Sequence, residues 1–167
     1  MEKEISNRLR AALDDTLELL SGFTEKELNT VPYEGSWTAA QVCRHLEKSE
    51  MGVDKLLQAP METADRQPDE KDEWLRDTFL NFEIKFKSPD FILPEEKHYT
   101  KNELELSLKD IRDKMLAAVE TARLDQMAPL PEGNPLQGFT KMETVLFITY
   151  HTTRHNHQLR KIRDAIK

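Results

Sequence analysis

Towards its end the chain reads Thr149-Tyr150-His151-Thr152-Thr153-Arg154-His155-Asn156-His157, with His151 and His155 four residues apart. Four helical steps turn through about 400°, so both imidazoles leave one face, one turn apart. One helix can thereby supply two ligands to one metal ion. The HExxH helix of zinc proteases uses the same spacing, but Thr152 stands where its glutamate would be, so protease chemistry lacks its general base. The chain has 5 histidines, and with that number the spacing alone decides little. Context adds weight. Leu146, Ile148 and Tyr150 precede the pair and Leu159 and Ile162 follow it, which sets it at the edge of a buried stripe.

A third ligand must come from elsewhere. His45 is the candidate, because it too lies in an amphipathic stretch, on or beside the apolar face. Three neutral imidazoles suit zinc, nickel, copper or iron and leave positions open for water or a substrate atom. A divalent ion so held lowers the pKa of its water to about 7 in favourable cases. Taken alone, His45 also reads as a satisfied core histidine. His157 lies about 200° round the helix from His155 and faces away. His98 sits in a proline-bounded loop and belongs to the surface.

Other reactive groups are weaker candidates. Cys43 is the one cysteine, so no internal disulfide forms, and it reads as a small buried hydrophobe. Glu47, Glu50, Tyr150 and Arg154 are available for proton transfer, and helical phase selects none of them. Arg154 reads as a surface cation, with pairing to an anionic substrate as the alternative. Trp37 and Trp74 read as core anchors.

The elements that must position these residues are helical. Ile5, Leu9, Ala12, Leu13, Thr16 and Leu20 form one stripe over Glu2 to Leu20, ended by Ser21-Gly22. Thr24 with Glu27 marks a short turn that Pro32 stops. Thr38 with Gln41 opens a helix expected to reach Leu57, burying Val42, His45, Leu46, Met51 or Val53, and Leu56. Met61 to Glu73 reads as a loop, and Trp74 to Phe86 as a shorter helix on Leu75, Phe79, Phe82 and Phe86. After a second loop, Thr100 with Glu103 caps a helix over Lys101 to Ala122. Asp125 to Gly138 is a further loop, and Thr140 with Glu143 opens the last helix, to Ile166. The expected fold is all-α: a four-helix bundle in one domain, residues 1–167, with long crossover loops and a short extra helix.

Composition agrees. The 167 residues include only 5 glycines, and 33% are charged. The net charge of −7 disfavours nucleic acid as a partner. The cluster Arg154, Arg160, Lys161, Arg163 and Lys167 reads as cations at the negative end of a helix dipole. No apolar run approaches the roughly 20 residues that span a bilayer, and MEKEISNRLR has no signal-peptide core, so a cytoplasmic location without membrane association is expected.

Two segments carry a resemblance to a known family. Gly35-Ser36-Trp37-Thr38 through His45-Leu46 resembles the W-S/T-x-x-x-x-x-x-H-L opening of the second helix in the DinB-like (DinB/YfiT) superfamily. His151-Thr152-Thr153-Arg154-His155-Asn156-His157-Gln158-Leu159 resembles its H-x-x-x-H-x-x-Q-L segment. The resemblance spans nearly the whole chain. It implies a four-helix bundle with a three-histidine site for a divalent metal, often Zn or Ni, on His45, His151 and His155, and frequently a homodimer. It also implies a small-molecule substrate, through metal-dependent hydrolysis or S-transfer with a low-molecular-weight thiol such as bacillithiol or mycothiol. Many members have no known activity, and no residue here matches a substrate-selecting motif. The alternative is a non-catalytic metal-binding or stress-response bundle. The lesion-bypass polymerase that shares the name is far longer than this chain.

Overall fold

The computed structural model describes residues 1–167 and is all-helical. Its helices are α1 (Glu2–Ser21), α2 (Glu25–Leu28), α3 (Ala39–Glu50), α4 (Val53–Gln58), α5 (Asp72–Phe79), α6 (Lys101–Thr121) and α7 (Lys141–Ile166), with a 3-10 turn at Asp90–Ile92. The expected four-helix bundle forms from α1, α3 with its continuation α4, α6 and α7. Both α1 and α3 pack against α6 and against α7, while α1 and α3 scarcely touch each other. The first and second long helices are therefore diagonal in the bundle, an arrangement that long crossover loops allow.

Local signals account for the helix starts. Thr24, Thr38 and Thr140 each accept the backbone N–H of the residue three further on, and Glu27, Gln41 and Glu143 return the bond. Each such cap contributes about 1 kcal/mol. The expected box at Thr100 and Glu103 is not made, because Thr100 makes no side-chain cap bond. Glu25 Oε1, reaching from α2, accepts the Lys101 N–H at 2.9 Å instead.

Four further expectations are corrected. The helix from Thr38 does not run unbroken to Leu57: it stops at Glu50 and restarts at Val53, because Gly52 adopts φ +86°. Met51 is thereby exposed, while Val53 and Leu57 are buried. The helix expected over Trp74 to Phe86 covers Asp72–Phe79, leaving Phe82 and Phe86 in a strap of irregular chain. Trp74 is 59% exposed and anchors nothing, whereas Leu75 beside it is fully buried. Gly22 ends α1 with φ −78°, without the left-handed turn that its position suggested.

The core has two apolar halves. One holds Ile5, Leu9, Leu13, Val53, Leu57, Val145 and Ile148 among its members. The other holds Leu19, Leu20, Ala39, Val42, Cys43, Leu159 and Ile162. Between them on α1, α3 and α7 fall the buried polar residues Thr16, His45, Glu47, Glu50, His151, Thr152 and Asn156. Thr16 donates to Asn156 Oδ1 at 2.6 Å, and Asn156 Nδ2 donates to the Ala12 carbonyl at 3.0 Å. A polar layer across the middle of a bundle costs stability unless its members are paired, which points to a purpose other than packing.

Candidate metal centre

His45 projects from α3 and His151 and His155 from α7, and these two helices pack side by side. The one-turn spacing on α7 brings its two rings together, with centroids 4.6 Å apart. The His45 ring lies 5.0 Å from His151 and 4.5 Å from His155. One nitrogen of each ring falls within 4.8 Å of the others, and no further His, Cys, Asp or Glu joins the group. The pair singled out by spacing and the histidine singled out by its apolar face thus converge.

Neighbouring groups fix how each ring presents itself. His45 Nδ1 lies 2.9 Å from the Ile92 carbonyl oxygen. A carbonyl only accepts, so Nδ1 carries the proton and Nε2 turns its lone pair inward. His155 Nδ1 donates in the same way to Gln158 Oε1 at 2.8 Å. His151 Nε2 stands 3.1 Å from His45 Nε2, and its Nδ1 is buried without a partner. Imidazoles oriented by an outer acceptor are typical of metal ligands. Bonds of about 2.0–2.1 Å to a tetrahedral ion place ligand nitrogens roughly 3.3 Å apart, close to the His45–His151 separation. The donor set therefore fits a divalent borderline metal.

Electrostatics agree. Burial holds all three imidazoles below their ordinary pKa, with mutual repulsion and the Arg154 charge adding to the effect at His151 and His155. For His155 the value falls to about 3. The rings are neutral at physiological pH, the form in which imidazole can bind a metal.

Other candidates lie elsewhere. His157 stacks on Phe82 with centroids 4.0 Å apart, away from the trio, and His98 is exposed beside Glu25. Cys43 is fully buried, and burial with the nearby Glu50 and Glu47 charges pushes its thiol up to about 12, so it is inert. Tyr150 faces the opposite side of α7, where it donates to Asp72 and accepts from Arg8. Arg154 is half-buried rather than a free surface cation. Its terminal nitrogens donate to the carbonyls of Phe79, Asn81 and Ile84, which fastens the strap to α7. Glu47 pairs with Arg44. Glu50 lies about 140° round α3 from His45, is buried, and accepts from Thr152 Oγ1 at 2.9 Å.

The sequence marks residues 88–99 of the strap as a loop but not its contacts with α3. Ile92, Leu93 and Glu95 hold His45, Lys48 and Arg44 respectively, and the first two do so through main-chain carbonyls that no side-chain pattern reveals.

An all-helical bundle whose second and last long helices share a histidine trio, two of its members buried and one half-buried, defines the class: a helical-bundle protein with a candidate metal centre. The chain belongs to the DinB superfamily, whose model matches residues 8–159 and so includes all three histidines. It is similar to a Bacillus subtilis (strain 168) protein named "Uncharacterized protein YuaE", at 23% identity over 158 residues, covering 92% of this chain and 93% of that one. No solved structure matches significantly.

Proposed function

We propose that this DinB-superfamily protein is a metal-dependent enzyme in which His45, His151 and His155 hold a divalent ion, zinc or nickel. It acts on a small molecule as a hydrolase or as a low-molecular-weight-thiol S-transferase. The observation that carries this reading is the set of three inward-facing imidazoles with no fourth protein donor among them. A structural zinc site is closed by four protein ligands, whereas a catalytic one keeps a position free. The bound ion supplies Lewis acidity and stabilises an anionic nucleophile, hydroxide or thiolate, near neutral pH. The chain's own residues orient and shield. Ile92 and Gln158 fix the ring faces of His45 and His155, and the strap covers His45.

Elemental analysis of the purified protein tests this reading. About one zinc or nickel ion per chain is expected, and none in His151→Ala. Metal-dependent turnover in ester, amide and thiol-transfer screens then separates the two reaction types. Wild-type protein that takes up no divalent metal at pH 7.5 refutes the proposal.

A further inference from the structure

The histidine trio meets its surroundings through aromatic side chains. Trp37 lies 5.2 Å from the His45 ring, and Phe147 stacks on His151 at 5.1 Å. Phe79 stands 6.4 Å from His151, and Phe86 stacks on Phe79 at 5.2 Å. Trp37, Phe79, Phe147 and His155 are half-buried, and Phe86 is 47% exposed, so the rings that border the trio reach towards solvent.

Three of the nearby cations are already engaged. Arg154 turns its terminal nitrogens onto strap carbonyls and lies over the Phe86 ring at 4.8 Å. Arg44 is held by Glu47 and Glu95, and Lys48 meets Glu95 at 2.7 Å. A charged ligand body leaving water for this wall gains little in exchange, whereas an apolar one gains both burial and ring contacts.

We propose that the site takes a ligand whose metal-binding head is joined to a neutral aryl or branched alkyl body, with that body lying along Phe147, Phe79 and Phe86. This rests on the metal reading above and specifies its substrate class. Exposed Lys85 and Lys87 flank Phe86 in the chain, which makes an anionic body the natural competitor.

Cobalt(II) serves as a spectroscopic stand-in, and its uptake is measured first. The loaded full-length protein is then titrated with acetohydroxamate, benzohydroxamate and 4-carboxybenzohydroxamate, following the visible spectrum. Benzohydroxamate is expected to bind at least about tenfold more tightly than acetohydroxamate, with the carboxylated probe weaker than benzohydroxamate. Phe86→Ala, with an unchanged far-UV spectrum and cobalt uptake as its folding controls, is expected to reduce the benzo-over-aceto preference to under about threefold. Equal affinities, a preference for the carboxylated probe, an unchanged preference in Phe86→Ala, or no spectral response from cobalt-loaded protein each overturn the proposal. Failure to take up cobalt instead overturns the metal reading beneath it.

Discussion

Thr152 Oγ1 on α7 donates to Glu50 Oε1 on α3 at 2.9 Å, joining the two histidine-bearing helices inside the core. No cation accompanies Glu50. Burial, and then the Glu47 charge, raise its pKa to about 8, against the lowering effect of the Thr152 bond. The folded state thus holds a proton that the unfolded state releases at about pH 4.3. Between those values the native state binds more protons, so stability falls as pH rises, by up to about 1.4 kcal/mol per pH unit. Glu50→Gln removes this slope. Urea unfolding at pH 5.5 and 8 should show the variant gaining on wild type at the higher pH. Parallel losses in both proteins would contradict a protonated Glu50.

Gln158 is one turn beyond the trio and accepts from His155 Nδ1 at 2.8 Å. Gln158→Leu keeps the volume and removes the acceptor, freeing the ring to rotate. Outer partners of this kind contribute about 10- to 100-fold in metal affinity. A chelator competition assay should show at least a tenfold weaker zinc affinity in Gln158→Leu, with an unchanged far-UV spectrum. Unaltered affinity would mean that packing alone orients His155.

The parts of this structure that sequence disclosed are those set by short-range rules. Thr24, Thr38 and Thr140 each cap their own helix, and His151 and His155 meet because one helix carries both. Thr100 shows the limit: it sits in the same pattern as the other caps, yet Glu25, 76 residues away in sequence, takes the Lys101 N–H. Phe82 and Phe86 have helical spacing, but they pack on His157 and Phe79 from irregular chain. Spacing cannot distinguish a helix from a strap whose carbonyls are held by Arg154. The raised pKa of Glu50 was equally hidden, because it depends on what surrounds the end of α3 rather than on what neighbours it in sequence.

Gly52 illustrates a break that a helical pattern tolerates on paper. Its φ of +86° lies in the left-handed region, and a Cβ added there meets nothing within 4 Å. Gly52→Ala therefore costs only backbone strain, about 1–2 kcal/mol. Thermal unfolding should show that loss with metal stoichiometry intact, since α4 begins beyond His45. A neutral or stabilising result would mean that α3 and α4 can fuse into one helix.

Arg154 fastens the strap through the Phe79 and Asn81 carbonyls, at 3.2 and 2.9 Å, and through that of Ile84. Hydrogen bonds from a charged donor are worth about 1.5–3 kcal/mol. Arg154→Gln should thus raise the open population of the strap at least tenfold. Trypsin cutting at exposed Lys85 or Lys87 reports that opening, and its rate should rise in proportion while cleavage elsewhere stays constant. Equal cutting rates would assign the strap's order to Phe79 and Phe86 instead.

At the start of α7, Glu143 is fully buried and meets both terminal nitrogens of Arg66 at 2.7 Å. Burial pushes its pKa up, but Arg66 and the backbone N–H groups of Thr140 and Lys71 outweigh that and hold it below the ordinary value. The folded carboxylate is therefore favoured, and its contribution is present above the unfolded pKa and lost as pH falls through the folded one. Arg66→Leu strands a buried charge, at a cost of about 3 kcal/mol near neutrality. Acid protonates the stranded carboxylate, so the gap to wild type should narrow between pH 7 and pH 4. Urea midpoints at those two values measure it. A deficit that is the same at both would show that Arg66 acts through packing, because only an electrostatic role vanishes when Glu143 takes up its proton.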